Sequence, residues 1–159
     1  MTALVVCLLA AMLFSRACGR SEFGEWVGEQ APDLVLQTTD NRNVRLSDLK
    51  GRAVILDFWA TWCGPCRAEI PHFVQLTSEL ESEGLTVLGI SNEDLPKLVS
   101  FARAQGVNYA VGNAGGLVSP YVDVRAIPTT FFIDRKGVIR DVTVGYRSYS
   151  QLHKIVATL

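Results

Sequence analysis

Two short apolar runs separated by a helical pattern dominate the hydrophobic profile of the chain. Ala53–Trp59 and Leu85–Ser91 are nearly continuous in apolar and β-forming residues, which is typical of buried strands. Between them, Cys66–Glu83 carries apolar residues at helical spacing, and Gly84 is expected to end that helix. Pro71 falls inside the helix and should kink it. The pattern therefore predicts two parallel strands joined by a helix.

The flanking segments predict further strands and helices on the same sheet. We expect an N-terminal β-hairpin, one helical turn, a second helix, another strand, a loop with a short helix, a strand pair and a closing helix. In chain order these are Leu34–Leu36 with Asn43–Leu46, Ser47–Gly51, Leu95–Gln105, Val107–Val111, Gly112–Tyr121, Thr129–Ile133 with Val138–Val144 around the turn Asp134–Gly137, and Ser148–Thr158. The fold class is α/β, with a central mixed β-sheet flanked by helices.

The N-terminus is patterned differently from the rest of the chain. Ala3–Phe14 is continuously apolar, but twelve residues are too few to span a hydrocarbon core of ~30 Å as a helix. This length suits a secretory signal, with small residues near a cleavage point, although no Lys or Arg precedes the run. Cys18 also resembles the acylated cysteine of bacterial lipoproteins. We therefore assign residues 1–20 to a signal peptide or lipoprotein anchor, 21–27 to a linker and 28–159 to one domain.

Composition excludes several classes of protein. The 159 residues are 48% hydrophobic and 19% charged, with a formal net charge of −1. A nucleic-acid partner is not expected, because there is neither a basic excess nor a Lys/Arg cluster. Disorder is not expected either. Four cysteines are present, and only Cys63 and Cys66 belong to the predicted domain, so the domain carries one working pair.

Cys63-Gly64-Pro65-Cys66 stands where the first strand passes into its helix. A helix N-terminus has unpaired N–H groups and a partial positive charge, and both favour a thiolate. Such a setting lowers the pKa of a cysteine below its usual ~8.5. Cys63 is therefore the expected nucleophile. Cys66 lies one helical turn further on, within reach for a disulfide.

Two other uses of a CxxC pair remain open at this point. Such a pair often forms half of a zinc site, but no second pair or paired histidines complete four ligands, and we expect no metal. A purely structural disulfide that closes so short a loop would contribute little stabilisation. Redox chemistry is the favoured interpretation, with the disulfide itself as the redox group and no other cofactor.

A family resemblance can be named from these residues. Trp62–Cys66 looks like the active site of thioredoxin, and the longer segment Phe58–Pro71 (FWATWCGPCRAEIP) resembles extracytoplasmic thioredoxin-like proteins of the TlpA/ResA type. The similarity extends from about Gly28 to the C-terminus. It implies a thioredoxin fold with an N-terminal β-hairpin extension, which TlpA-type proteins and peroxiredoxins share and thioredoxin lacks.

Asp57 and the Ile127-Pro128 segment are the most informative residues outside the pair. Asp57 sits in an apolar strand, where burial is costly and raises the pKa of a carboxyl group. The resemblance places it at thioredoxin's buried aspartate, which handles the proton of the second cysteine; a simple strand-end residue is the alternative. The lysine that accompanies that aspartate in thioredoxin has no counterpart, since Gly89 stands there. Ile127-Pro128 resembles the family's cis-proline segment, which faces the disulfide and pairs with substrate backbone.

Further site residues are weaker predictions. Gly64 would let a substrate backbone approach, Pro65 would shape the helix start, and Trp62 would offer an apolar wall to partners. Glu93 resembles an acid near the active site in some ResA-like proteins, and a helix-start acid explains it equally well.

The resemblance implies a thiol–disulfide oxidoreductase that reduces protein disulfides outside the cytoplasm, in the bacterial periplasm or anchored to the membrane facing it. It also implies a membrane thiol–disulfide electron donor, with cytochrome c maturation as one pathway; we expect a monomer. The alternatives are a disulfide-forming oxidant, a thiol peroxidase and a metal-carrying or holdase module. A thiol peroxidase is expected to have threonine three residues before the nucleophile and proline further back, whereas this chain has Ala60 and Leu56 at those positions.

Overall fold

The computed structural model describes residues 23–159, and the predicted signal segment and Cys18 lie outside this range. Within it, seven strands alternate with three α-helices and two 3-10 turns. In chain order these are β1 (Val35–Thr38), β2 (Asn43–Arg45), the first 3-10 turn (Leu46–Leu49), β3 (Ala53–Phe58), α1 (Gly64–Leu80), β4 (Leu85–Ile90), α2 (Leu95–Gln105), β5 (Ala110–Ala114), the second 3-10 turn (Tyr121–Asp123), β6 (Thr129–Ile133), β7 (Ile139–Val144) and α3 (Tyr149–Val156).

All seven strands form one mixed sheet in the order β2-β1-β5-β4-β3-β6-β7. β3 is central and fully buried, pairing parallel with β4 and antiparallel with β6. β5 continues the parallel set beside β4, whereas β1 pairs antiparallel with both β5 and β2. The mixed α/β sheet predicted from the hydrophobic pattern is therefore confirmed. The loop that follows β3 begins at the carboxyl end of a central strand.

The three helices pack on the same face of the sheet. Phe73 of α1 and Leu152 of α3 join one core cluster with strand residues, and Leu98 of α2 joins a second with Trp59 and Val111. Two parallel crossovers that step in the same direction, β3–α1–β4 and β4–α2–β5, place their helices on one face because such crossovers are right-handed.

The opposite face is covered by irregular chain instead of helices. Phe23 is buried edge-on against Phe131, and Tyr121 of the second 3-10 turn stacks near Phe58. Trp26 packs against the same cluster. Residues 23–27 therefore belong to the folded body, which corrects their assignment to a linker. Their glycines and polar residues suggested a linker, but two aromatic side chains anchor the segment to the sheet.

Several element boundaries differ from the sequence-based prediction by one to three residues, and for two of them, the start of α1 and the position of β5, the structure shows a local reason. α1 begins at Gly64, two residues before the predicted start, because Cys63 itself caps the helix. β5 was expected at Val107–Val111 but occupies Ala110–Ala114. The Val107 N–H donates to Ala102 O at the end of α2, and the Asn108 side chain donates to Val74 O on α1. Both residues are therefore hydrogen-bonded to helices, and the strand begins after them.

Candidate active site

The loop between β3 and α1 places the cysteine pair at a helix N-terminus. Cys63 is the N-cap of α1, in an extended backbone conformation, and Pro65 lies in the first turn. The two cysteines form a disulfide with Cα atoms 5.3 Å apart, and the Cys66 backbone N–H donates to Cys63 Sγ at 3.2 Å. A sulfur that already accepts an N–H in the disulfide is held where the same bond would stabilise its thiolate after reduction.

Access to the disulfide is from the Cys63 side. Cys63 is 4% exposed and Cys66 only 1%, so an incoming sulfur meets Cys63 first. Gly64 and Pro65 are exposed, and a Cβ added to Gly64 would meet nothing within 4 Å. This open flank is the space that the approach of a substrate backbone requires.

The Ile127-Pro128 segment lies against the disulfide, as the resemblance implied. Ile127 O is 3.8 Å from Cys63 Sγ, and the Ile127–Pro128 peptide bond is cis. Pro128 O accepts the Gly145 N–H at 2.8 Å, which ties this segment to the end of β7. The structure thus brings Ile127 and Pro128 together with the cysteine pair.

The two tryptophans of the loop have different environments. Trp62 is 71% exposed beside the disulfide, whereas Trp59 is buried against Phe101 of α2. Trp62 is therefore a surface residue next to the cysteine pair, and Trp59 is a core residue whose indole N–H has no hydrogen-bond partner among residues 23–159.

Asp57 lies on the helix-covered face of the sheet, below the cysteine pair. It is fully buried, and within the described part of the chain its side chain accepts one hydrogen bond, from Thr130 Oγ1 on β6 at 3.1 Å. Burial, reinforced by the nearby Glu69 carboxylate, raises the pKa of Asp57 well above its usual value, and the bond from Thr130 opposes this only in part. Such a group keeps its proton to a higher pH than an exposed carboxyl group does.

Gly89 stands directly across from Asp57 on β4. A Cβ at Gly89 would lie 3.0 Å from Trp59 Nε1 and 3.3 Å from Tyr109, so aromatic rings fill the space beside it. A larger side chain does not fit there without displacing them. This explains why a cation does not accompany Asp57 at this position.

Glu69 is a second buried acid that the sequence analysis missed. It is one turn after Cys66 on α1 and is fully buried. Its carboxylate accepts the Arg147 backbone N–H at 2.6 Å, and its other oxygen has no partner in the part of the chain that the structure describes. Burial raises the pKa of Glu69 to about 7, against the lowering effect of Arg147. An available signal was its spacing: Cys66, Glu69 and Ile70 are neighbours on one helix face. The site therefore contains two buried carboxyl groups.

The stability of the oxidised protein should fall with pH because of Glu69. Its pKa is about 7 in the folded protein against 4.5 normally, so between these values the folded state keeps a proton that the unfolded state has lost. The free energy of unfolding should fall by up to about 3 kcal/mol across this range. We expect Glu69→Gln to gain stability relative to the wild type as pH rises from 4.5 to 8. Urea unfolding at several pH values measures this, and exposed Glu81→Gln serves as the control; parallel curves for Glu69→Gln and wild type would contradict it.

Glu93 has a different character from these acids. Its carboxylate accepts the Thr61 N–H at 2.6 Å and the Thr61 hydroxyl at 2.8 Å, and it forms an ion pair with Lys97 at 2.6 Å. Burial alone would raise the pKa of Glu93, but the hydrogen bonds from Lys97 and Thr61 outweigh it and hold the pKa below its usual value. An ionised carboxylate with both oxygens bonded is a poor proton carrier, so the geometry does not support an acid–base role.

Neither a membrane-spanning helix nor a metal cluster occurs in the described part of the chain. Among residues 23–159, no helix is both long and apolar enough to cross a membrane. The same range holds no group of three or more His, Cys, Asp or Glu side chains arranged to bind a metal ion.

Comparisons with known proteins agree with this site. Residues 27–142 match the AhpC/TSA family. The chain is 32% identical over 152 residues to the thiol-disulfide oxidoreductase ResA of Bacillus subtilis (strain 168), covering 94% of this chain and 84% of that one.

Solved structures give the same result. A putative thiol:disulfide interchange protein DsbE from Chlorobium tepidum superposes with a TM-score of 0.75 at 30% identity, covering 83% of this chain and 96% of that chain. A pneumococcal exposed lipoprotein thioredoxin from Streptococcus pneumoniae strain TIGR4 gives 0.69 at 25% identity, over 80% and 100% of the two chains. The predicted fold class and class of activity are thereby confirmed. The chain belongs to the AhpC/TSA family, among its thioredoxin-like thiol-disulfide oxidoreductases related to ResA.

Proposed function

We propose that the protein reduces protein disulfides outside the cytoplasm, with Cys63 as the attacking thiol and Cys66 as the resolving thiol. The observation that carries this proposal is the position of Cys63 Sγ, at the N-terminus of α1, bonded to the Cys66 N–H and facing Ile127 O. The substrate chain would contact the residues around that sulfur, which are Trp62, Gly64, Pro65, Ile127 and Pro128.

The reaction has two exchange steps and transfers two electrons. The Cys63 thiolate attacks a substrate sulfur, forming a mixed disulfide and releasing the first substrate thiolate. Cys66 then loses its proton and attacks Cys63 Sγ, which breaks the mixed disulfide and releases the second substrate thiolate. Asp57 is the proposed acceptor of the Cys66 proton, with Glu69 of α1 as a second buried acid near it, because both carboxyl groups are buried and have raised pKa values.

The buried acids also favour reduction over oxidation as the working direction. A dithiol is a strong oxidant when its reduced, thiolate form is stabilised. Burial of Cys66 disfavours its thiolate, and the ionised form of Asp57 or Glu69 would disfavour it further by like-charge repulsion. The Gly-Pro dipeptide between the cysteines also favours reduction, because it is the dipeptide of thioredoxin, whose reduction potential is about −270 mV.

The cellular setting is part of the proposal. The apolar segment Ala3–Phe14 would export the protein, and acylation of Cys18 would anchor it at the membrane, by analogy with the exposed lipoprotein thioredoxin of Streptococcus pneumoniae. A membrane thiol–disulfide donor would return the pair to the dithiol state. Apocytochrome c, whose CxxCH thiols must be free for haem attachment, is the proposed substrate, and we expect the protein to act as a monomer.

A thiol peroxidase is the second candidate, since the family match alone would allow it. The residue three before Cys63 is Ala60, which is buried and has no hydroxyl group to position a peroxide. We therefore expect no peroxide consumption above that of free thiols.

The proposal is tested by turnover on a protein disulfide. Purified protein with excess dithiothreitol should accelerate reduction of insulin and leave hydrogen peroxide consumption unchanged. Export is tested separately, by fusing residues 1–27 to a reporter enzyme that is active only outside the cytoplasm. Peroxide turnover without insulin reduction would overturn the reductase proposal, and a silent reporter would overturn the proposed location.

A further inference from the structure

Thr61 lies in the short loop that connects the central strand to the cysteine pair, two residues before Cys63. Backbone hydrogen bonds hold the loop on either side of it: the Trp59 N–H donates to Ile90 O, and the Cys63 N–H donates to Ala60 O. The Thr61 N–H instead donates to a side chain, Glu93 Oε2, at 2.6 Å. The Thr61 hydroxyl donates to the other carboxylate oxygen, Oε1, at 2.8 Å. Glu93 thus binds both donors of Thr61, and we call this pair of hydrogen bonds the clamp.

The other end of this contact is anchored as well. The Glu93 N–H donates to Ser91 Oγ, and that hydroxyl is 3.4 Å from Glu93 Oε2. Lys97, in the first turn of α2, pairs with Oε1 at 2.6 Å. The Glu93 side chain is only 9% exposed, so these bonds compete little with water. A charge-assisted bond to a partly buried carboxylate is stronger than a neutral one.

From this geometry we infer that Glu93 is a positioning residue for thiol–disulfide exchange: its carboxylate fixes the Thr61 backbone and thereby the direction in which Cys63 Sγ and the exposed Trp62 face the substrate. Its effect passes through Thr61, and Glu93 does not touch the reacting sulfurs. This role of Glu93 rests on the function proposed above for Cys63 and holds for either direction of electron flow.

The energetic reason for such a contact is orientation. Disulfide exchange needs three sulfurs near one line, and a displacement of about 1 Å at a reacting atom lowers a rate by up to ~100-fold. The loop has no strand or helix pairing at Thr61, so without Glu93 its amide would bond to water and the two residues leading to Cys63 would gain freedom. Loss of the clamp should therefore affect rate more than global stability.

The test compares Glu93→Gln with Asp94→Asn in the full chain. Asp94 is an exposed acid next to Glu93 whose side chain makes no capping bond, so its replacement removes a nearby charge without removing the clamp. For Glu93→Gln we expect hydrogen exchange of the Thr61 amide to be faster by about tenfold, and reduction of the disulfide by dithiothreitol to be slower by about tenfold. Asp94→Asn should leave both unchanged, and the pH–rate profile of Glu93→Gln should keep its shape.

Two results would overturn the inference. One is a reduction rate for Glu93→Gln within about twofold of that for Asp94→Asn, which would mean that the clamp does not orient Cys63. The other is loss of one limb of the pH–rate profile, which would make Glu93 an acid–base group. If Glu93→Gln does not fold, Thr61→Val and Thr61→Ser decide: serine should restore the rate that valine lowers, and equal rates would refute the clamp. Failure of the proposed reductase function appears separately, as absence of insulin reduction by the wild type.

Discussion

Replacement of Cys63 with serine should abolish catalysed disulfide exchange, with a loss on the order of 10³-fold or more. Cys63 carries the more accessible sulfur of the pair, and a serine hydroxyl is not ionised at neutral pH. The measurement is insulin reduction under dithiothreitol, with thermal unfolding as a control for folding. The comparison is made with reduced wild type, so that loss of the disulfide itself is not mistaken for loss of the nucleophile.

The matched variant is Cys66→Ser, which should fail at a different step. Cys63 can still attack, but nothing resolves the product, so a mixed disulfide with the substrate accumulates and is visible on a non-reducing gel. Cys66→Ser should also hold the physiological substrate as a mixed disulfide, and we expect that substrate to be apocytochrome c with its CxxCH motif. Accumulation of mixed disulfide with Cys63→Ser instead of Cys66→Ser would reverse the assigned order of attack.

Replacement of Asp57 with asparagine should slow the resolving step by about 100-fold at neutral pH, the size of effect that general acid–base catalysis provides. Asparagine keeps the acceptor for Thr130 Oγ1 but cannot take the proton that Cys66 must lose. The mixed disulfide should therefore persist in single-turnover experiments, and the rate of attack by Cys63 should change much less.

The pH dependence separates this role from a structural one. At high pH, Cys66 ionises without help and the Asp57→Asn rate should approach that of the wild type. The oxidised variant should also gain stability relative to the wild type as pH rises above the usual pKa of an aspartate. Folding raises the pKa of Asp57, so the free energy of unfolding of the wild type falls as this group ionises with rising pH. Asparagine does not ionise, and the variant avoids this loss. A constant rate deficit at every pH would contradict proton transfer by Asp57. Glu69→Gln in the same background then tells whether the second acid acts on the same proton.

How far the sequence predicts this molecule depends on how local the determinant is. The strands at Ala53–Phe58 and Leu85–Ile90 follow from continuous apolar runs, and the bounds predicted for α2 are the observed ones. In the structure, Gly106 ends this helix in a left-handed conformation. β5 was misplaced by three residues, because its start is set by pairing with β4 and β1 instead of by its own composition.

The site divides in the same way. The cysteine pair and Asp57 stand out because each contradicts its apolar surroundings. Glu69 does not, because an acid in a helix is ordinarily a surface residue, and only the packing of α1 on the sheet buries it. Glu93 looked like a candidate acid, and its partner Thr61, 32 residues away, could not be foreseen without the fold.

The most direct measurement is the equilibrium reduction potential of the Cys63–Cys66 pair, followed by tryptophan fluorescence or thiol alkylation in defined glutathione or dithiothreitol buffers. A reductase with two buried acids under its disulfide should have a potential of about −250 mV or lower. A potential of about −120 mV would contradict this account, because the pair would then donate disulfides to substrates instead of reducing them.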